Sequence, residues 1–153
     1  MKLFNKSLKE YFNSVNGFML VIFIFSIIQV ILIVLGYFPK IELVKISETT
    51  STFKMNYLNP VTLIGLLEII AVFVSGFYLV LKKKFELRHN FISSMFLFVS
   101  SLLIIFFIPS VLPQMPVIFK IINYSVLFVV NLVIFIIASL FGGILALIYQ
   151  KII

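Results

Sequence analysis

The chain has 153 residues, of which 63% are hydrophobic and 11% charged, and it carries a net charge of +7. A soluble domain holds roughly 45 to 50% apolar and about 25% charged residues, and a fold of this length leaves too much chain at its surface to hide the excess, so a water-soluble globule is excluded. With no Cys, no Asp and a single His, thiol chemistry, disulfides, Cys-held zinc or iron–sulfur centres and most acid–base dyads are excluded too, and no cofactor or metal is expected.

At the N-terminus Phe4, Leu8, Tyr11, Phe12 and Val15 share one helical face, while Lys2, Lys6, Lys9 and Asn13 lie elsewhere on the wheel. That pattern predicts an amphipathic helix over 2–16 lying in the membrane interface, against the plainer alternative of a frayed basic tail. A bilayer-crossing helix needs about 20 mostly apolar residues, and the first such run extends from about 18 to 38. The segment Pro39 to Asn59 then loses the apolar run. Phe53, Met55 and Tyr57 alternate cleanly with Thr52, Lys54 and Asn56, which predicts a small β-hairpin capping the outer mouth with SETTS at its turn.

The second span is expected over about 61–81, with Asn59 as N-cap and Pro60 at the first helical position, where its missing N–H costs nothing. A basic run, KKKFELRHN, follows. The third and shortest span covers about 91–108, and the connection PSVLPQMPVIFKIIN after it is apolar and proline-rich, suited to lying along the interface. The fourth span begins near Tyr124 and continues to about 149. The fold class is therefore all-α: one polytopic membrane domain, 1–153, with four transmembrane helices.

Orientation follows from Lys and Arg, because short basic loops stay on the cytoplasmic side. Lys2, Lys6, Lys9, Lys82, Lys83, Lys84, Arg88 and Lys151 share one side, while Lys40, Lys45, Lys54 and Lys120 share the other. Both termini are expected in the cytoplasm of a cell membrane protein. Lys82, Lys83, Lys84 and Arg88 also make a candidate site for anionic lipid head groups, with simple topology as the favoured reading. Nucleic acid is not expected as a partner, since the positive charge is spread by topology.

An ionisable residue within a span is costly and is a functional hypothesis by default. Glu68 is the one here, roughly 10 Å from the outer end of span two. Gln29, Ser101 and Asn131 fall at similar depth in the other spans, each about 10 to 14 Å below the outer surface. Four helices thus offer one polar side chain each to a polar layer inside the bundle. The favoured role is structural, with inter-helix hydrogen bonds holding a small bundle together. The rival is a titrating carboxyl that couples transport to protonation.

Ala138, Gly142 and Ala146 recur every four residues in span four, a small-residue seam for close backbone contact. Packing within the chain is favoured over self-association through that seam. His89, lacking Cys, Asp or a second His, is read as structural rather than metal-binding. In span count and in its intramembrane Glu the chain is similar to small four-span cation exporters, but its Glu stands in the second span, its outer loop has 21 residues and the family's flanking motif is missing, so membership is not claimed. The expected function is that of a non-enzymatic structural or accessory component of a membrane assembly, associating with itself or with other membrane subunits. The alternative is a small proton-coupled transporter or channel using Glu68.

Overall fold

The computed structural model describes residues 2–3, 6–37, 41–45, 51–55, 59–110 and 117–153, with side chains described over 7–37, 59–102, 125–126 and 128–153. Among the described residues the chain is built on four helices: α1 (Leu8–Val34), α2 (Pro60–Leu81), α3 (Leu87–Ser110) and α4 (Val117–Ile152). Two short antiparallel pairings accompany them. β1 (Lys2–Leu3) pairs with β2 (Lys6–Ser7) just before α1, and β3 (Ile41–Lys45) pairs with β4 (Ser51–Met55) with Leu43 opposite Phe53. The residues between β3 and β4 lie outside the described residues, as do residues 111–116 of the proline-rich connection and the side chains over 103–124.

Local chemistry sets the helix ends. Ser7 and Glu10 form a capping box, in which the Ser7 backbone N–H donates to the Glu10 carboxylate at 2.5 Å and the Glu10 N–H donates back to Ser7 Oγ at 3.3 Å. Two otherwise unpaired N–H groups are satisfied this way, which fixes the first turn at Leu8. At the other end Gly36 adopts φ +89°, the Gly36 N–H reaches Ile33 O, and the Tyr37 N–H reaches Leu32 O, both at 3.0 Å. This is a Schellman stop, which needs a residue tolerant of the left-handed region. α1 therefore ends at Val34 rather than near 38. α2 begins as its sequence dictates, with the Asn59 side chain accepting from the Val61 N–H at 2.9 Å and Pro60 in the first turn.

A separate interfacial helix over 2–16 is not what the chain forms. Residues 2–3 and 6–7 are extended, and from Leu8 one uninterrupted helix of 27 residues, about 40 Å long, carries the amphipathic stripe straight into the first apolar run. The reason is the stripe's partner. Tyr11 and Val15 are fully buried against protein while Leu8 and Phe12 stay exposed, so one edge of the stripe packs against the other helices.

α1 packs on α2 and α3, α4 packs on the same two helices, and α2 touches α3 more lightly, so the α2 and α3 helices lie between α1 and α4. Residue pairings give the directions. Ser26 meets Glu68 and Phe18 meets Tyr78, so α1 and α2 are antiparallel, while Asn90 meets Ser139 and Phe98 meets Phe135, so α3 and α4 are antiparallel. The starts of α1 and α3 and the ends of α2 and α4 therefore gather at one end, together with Lys82, Lys83, Lys84 and Arg88. It is called the basic end below. Among the described residues three helices, Leu8–Val34, Pro60–Leu81 and the Phe128–Ile152 part of α4, are long and apolar enough to cross a membrane, and large apolar side chains such as Leu20, Leu66 and Phe141 are exposed on them.

Candidate functional site

Two levels of buried polar groups join the helices within the fold. The first is built around Glu68. Its side chain is 4% exposed, and the hydroxyl of Ser26 on α1 donates to its Oε1 at 2.9 Å. One turn further along α1, Gln29 is also buried and its amide donates to the backbone carbonyl of Val61 at 3.4 Å. Gly65 makes room for this amide, since a Cβ there would stand 3.2 Å from Gln29 Nε2. Ser26 and Gln29 share the inward face of α1 with Ile22 and Ile33, three or four residues apart. Each side chain ties α1 to α2.

The second level is near the basic end and centres on Asn90, which is fully buried. Its amide nitrogen donates to Gly76 O on α2 and to Ser139 O on α4, both at 3.1 Å, so three helices meet at one side chain. Ser139 Oγ returns a hydrogen bond to Asn90 O at 3.4 Å. Glycines permit this approach: a Cβ on Gly76 would overlap the Ser139 backbone, and one on Gly142 would overlap the Phe73 carbonyl. Ala138, Gly142 and Ala146, the seam legible in the sequence, thus lie buried inside the chain, with Gly142 against α2.

The Asn90 junction also gives the depth of the four expected layer residues. Asn90, Gly76 and Ser139 share a level. Glu68 is eight residues from Gly76 and Asn131 is eight from Ser139, both away from the basic end, which places each about 12 Å beyond the junction. Ser101, eleven residues from Asn90, lies roughly 16 Å beyond it. Glu68, Ser26 and Asn131 are therefore level, with Ser101 and Gln29 about one turn further out. Asn131 is half-buried, and Ser101 is buried but donates to Phe98 O of its own helix at 2.8 Å. Glu68's bonded companion is Ser26, which the depth argument did not single out. A lone hydroxyl in an apolar run carries little signal, because serines in membrane helices commonly bond back to their own carbonyls.

At the basic end itself, Tyr11 OH and His89 Nδ1 are hydrogen-bonded at 2.5 Å, with both residues buried and the Phe85 ring edge-on to Tyr11. The single histidine is thus a structural tie from α1 to α3. No group of three or more His, Cys, Asp or Glu is close enough to hold a metal among the described residues. Tyr11→Phe should lower stability by about 1 to 3 kcal/mol, the cost of a buried ring nitrogen losing a partner, measured by thermal unfolding in detergent. An unchanged midpoint would show that the bond contributes nothing. Lys82, Lys83 and Lys84 are exposed beside this tie, whereas Arg88 is held by Glu86 at 2.6 Å. No protein-family model, curated protein or solved structure matches the chain.

Proposed function

We propose that this chain is a four-span, non-enzymatic integral membrane protein with both termini in the cytoplasm, serving as a structural or accessory component of a membrane assembly. α3 is the fourth span in this reading: its 24 residues reach about 36 Å, enough for a hydrocarbon core of about 30 Å. The basic end faces the cytoplasm, where Lys82, Lys83 and Lys84 set orientation and contact anionic head groups. The β3–β4 pairing caps the opposite mouth.

The observation that carries the structural role is the bond between Ser26 and Glu68. The intramembrane carboxyl is enclosed and linked to a neighbouring helix, as are Gln29, Asn90 and Tyr11. Polar groups used this way hold helices in register, each at about 0.6 to 2 kcal/mol. Since the small-residue seam is occupied internally, other subunits or a second copy dock on the exposed aliphatic faces.

The burial of an ionisable group at depth also supports a second reading, a proton-coupled carrier. Glu68→Gln separates the two, because it keeps shape and an acceptor oxygen but cannot titrate. The structural reading predicts normal abundance, midpoint within about 1 kcal/mol of the parent and an unaltered set of cross-linked subunits in native membranes. Proton flux in reconstituted vesicles that vanishes in Glu68→Gln would instead establish the carrier.

A further inference from the structure

The strongest unexplained feature is a pair of buried polar atoms on one face of α3. Asn90 Oδ1 and Ser93 Oγ belong to residues that are 0% exposed, and neither atom has a hydrogen-bond partner in the protein. Buried polar atoms are nearly always bonded, so each such atom requires an explanation. Rotating the amide does not relieve Asn90: its nitrogen faces two carbonyl oxygens, Gly76 O and Ser139 O, and a flip would set oxygen against oxygen. Oδ1 is therefore fixed as the remaining acceptor. Ser93 differs from Ser94 and Ser101 on the same helix, whose hydroxyls donate to carbonyls three residues back at 2.7 and 2.8 Å.

We infer that Asn90 Oδ1 and Ser93 Oγ together hold one buried water molecule at the junction of α2, α3 and α4. Residues three apart on a helix are neighbours on one face, with Cβ atoms about 5 to 6 Å apart, which puts the two side chains side by side, and a water between them makes bonds of about 2.8 Å. The water donates to Asn90 Oδ1 and accepts from the Ser93 hydroxyl, which satisfies both atoms. The ligand is neutral because the groups that build the junction are neutral: the Asn90 amide, the Ser93 and Ser139 hydroxyls and helix carbonyls. A cation buried there would meet no opposite charge and would carry the full cost of desolvation. Two or more polar partners are what an internal water requires, and the site needs neither Glu68 nor any particular role for the protein.

The experiment uses the full chain in lipid nanodiscs, with water as the probe. A magnetisation-transfer cross-peak between a long-lived water and the Asn90 side-chain amide protons is expected in the parent and in Ser93→Thr, and lost in Ser93→Ala. The unfolding midpoint of Ser93→Ala should fall by about 2 to 4 °C, with Ser93→Thr close to the parent. Absence of the cross-peak in the parent overturns the inference whether or not the variants fold. So does a higher midpoint in Ser93→Ala, which is what deleting an unsolvated hydroxyl produces. A midpoint that changes when sodium is exchanged for potassium or choline would assign the site to a cation and overturn it as well.

Discussion

Gly142→Ala should separate α2 from α4 and cost more than about 4 kcal/mol, the range reserved for steric conflicts that side-chain adjustment cannot absorb. The added methyl would overlap the Phe73 carbonyl and crowd the Phe77 backbone nitrogen. Backbone atoms cannot rotate out of the way, so the helices must part. Gly76→Ala faces the Ser139 backbone in the same manner. Gly17 is the internal control: it is exposed, mid-helix, and a Cβ there meets nothing within 4 Å. Gly17→Ala should therefore stabilise by about 0.5 to 1 kcal/mol through helix propensity. Size-exclusion profile and thermal midpoint in a mild detergent measure all three. Equal midpoints for Gly142→Ala and Gly17→Ala would mean that the α2–α4 contact is not as tight as described.

Asn90→Asp carries the second large effect. The change is isosteric, yet it places an oxygen against Gly76 O and Ser139 O, each at 3.1 Å from the present amide nitrogen. An aspartate there is a buried charge facing two carbonyls, and the protonated acid has one hydrogen for two acceptors. A loss of about 3 kcal/mol or more follows, visible as a large drop in thermal midpoint. Asn90→Ala removes the same two bonds without adding repulsion, so it should cost less, about 1 to 3 kcal/mol. If the two variants were equally stable, the amide would not be making both contacts.

Local chemistry was readable in the sequence and long-range pairing was not. Asn59–Pro60 marks the start of α2 because capping depends on residues within one turn. Ser7 and Glu10 carry the same kind of local signal, a capping-box spacing that starts the helix at Leu8, but the amphipathic stripe running through 2–16 masks it, and the helix expected there does not form. Gly36 is a stop of the same local kind, hidden by the apolar run that continues past it to about 38. The inward position of Glu68 follows from the cost of a carboxyl in lipid.

What periodicity does not supply is which neighbour a helix face meets. Ser26 reads as an ordinary serine in an apolar run until α2 is placed beside it. Asn90 sits at the edge of the basic run, where it reads as a loop residue, although the small residues Gly76, Ser139 and Gly143 are its complement on two other helices. Tyr11 reads as an interfacial anchor, yet it is enclosed with His89 and Phe85. In each case the polar atom's partner is at least fourteen residues away, beyond the reach of local pattern.

The central claim is that intramembrane polar side chains here join one helix to another, with Ser26 and Glu68 as the defining pair. A double-mutant cycle with Ser26→Ala and Glu68→Met, read by reversible unfolding in bicelles, isolates that contact from the burial of each residue alone. A favourable coupling of about 0.5 to 2 kcal/mol is predicted. Strict additivity of the two substitutions would contradict the claim, leaving Glu68 enclosed for a reason other than holding α1 to α2.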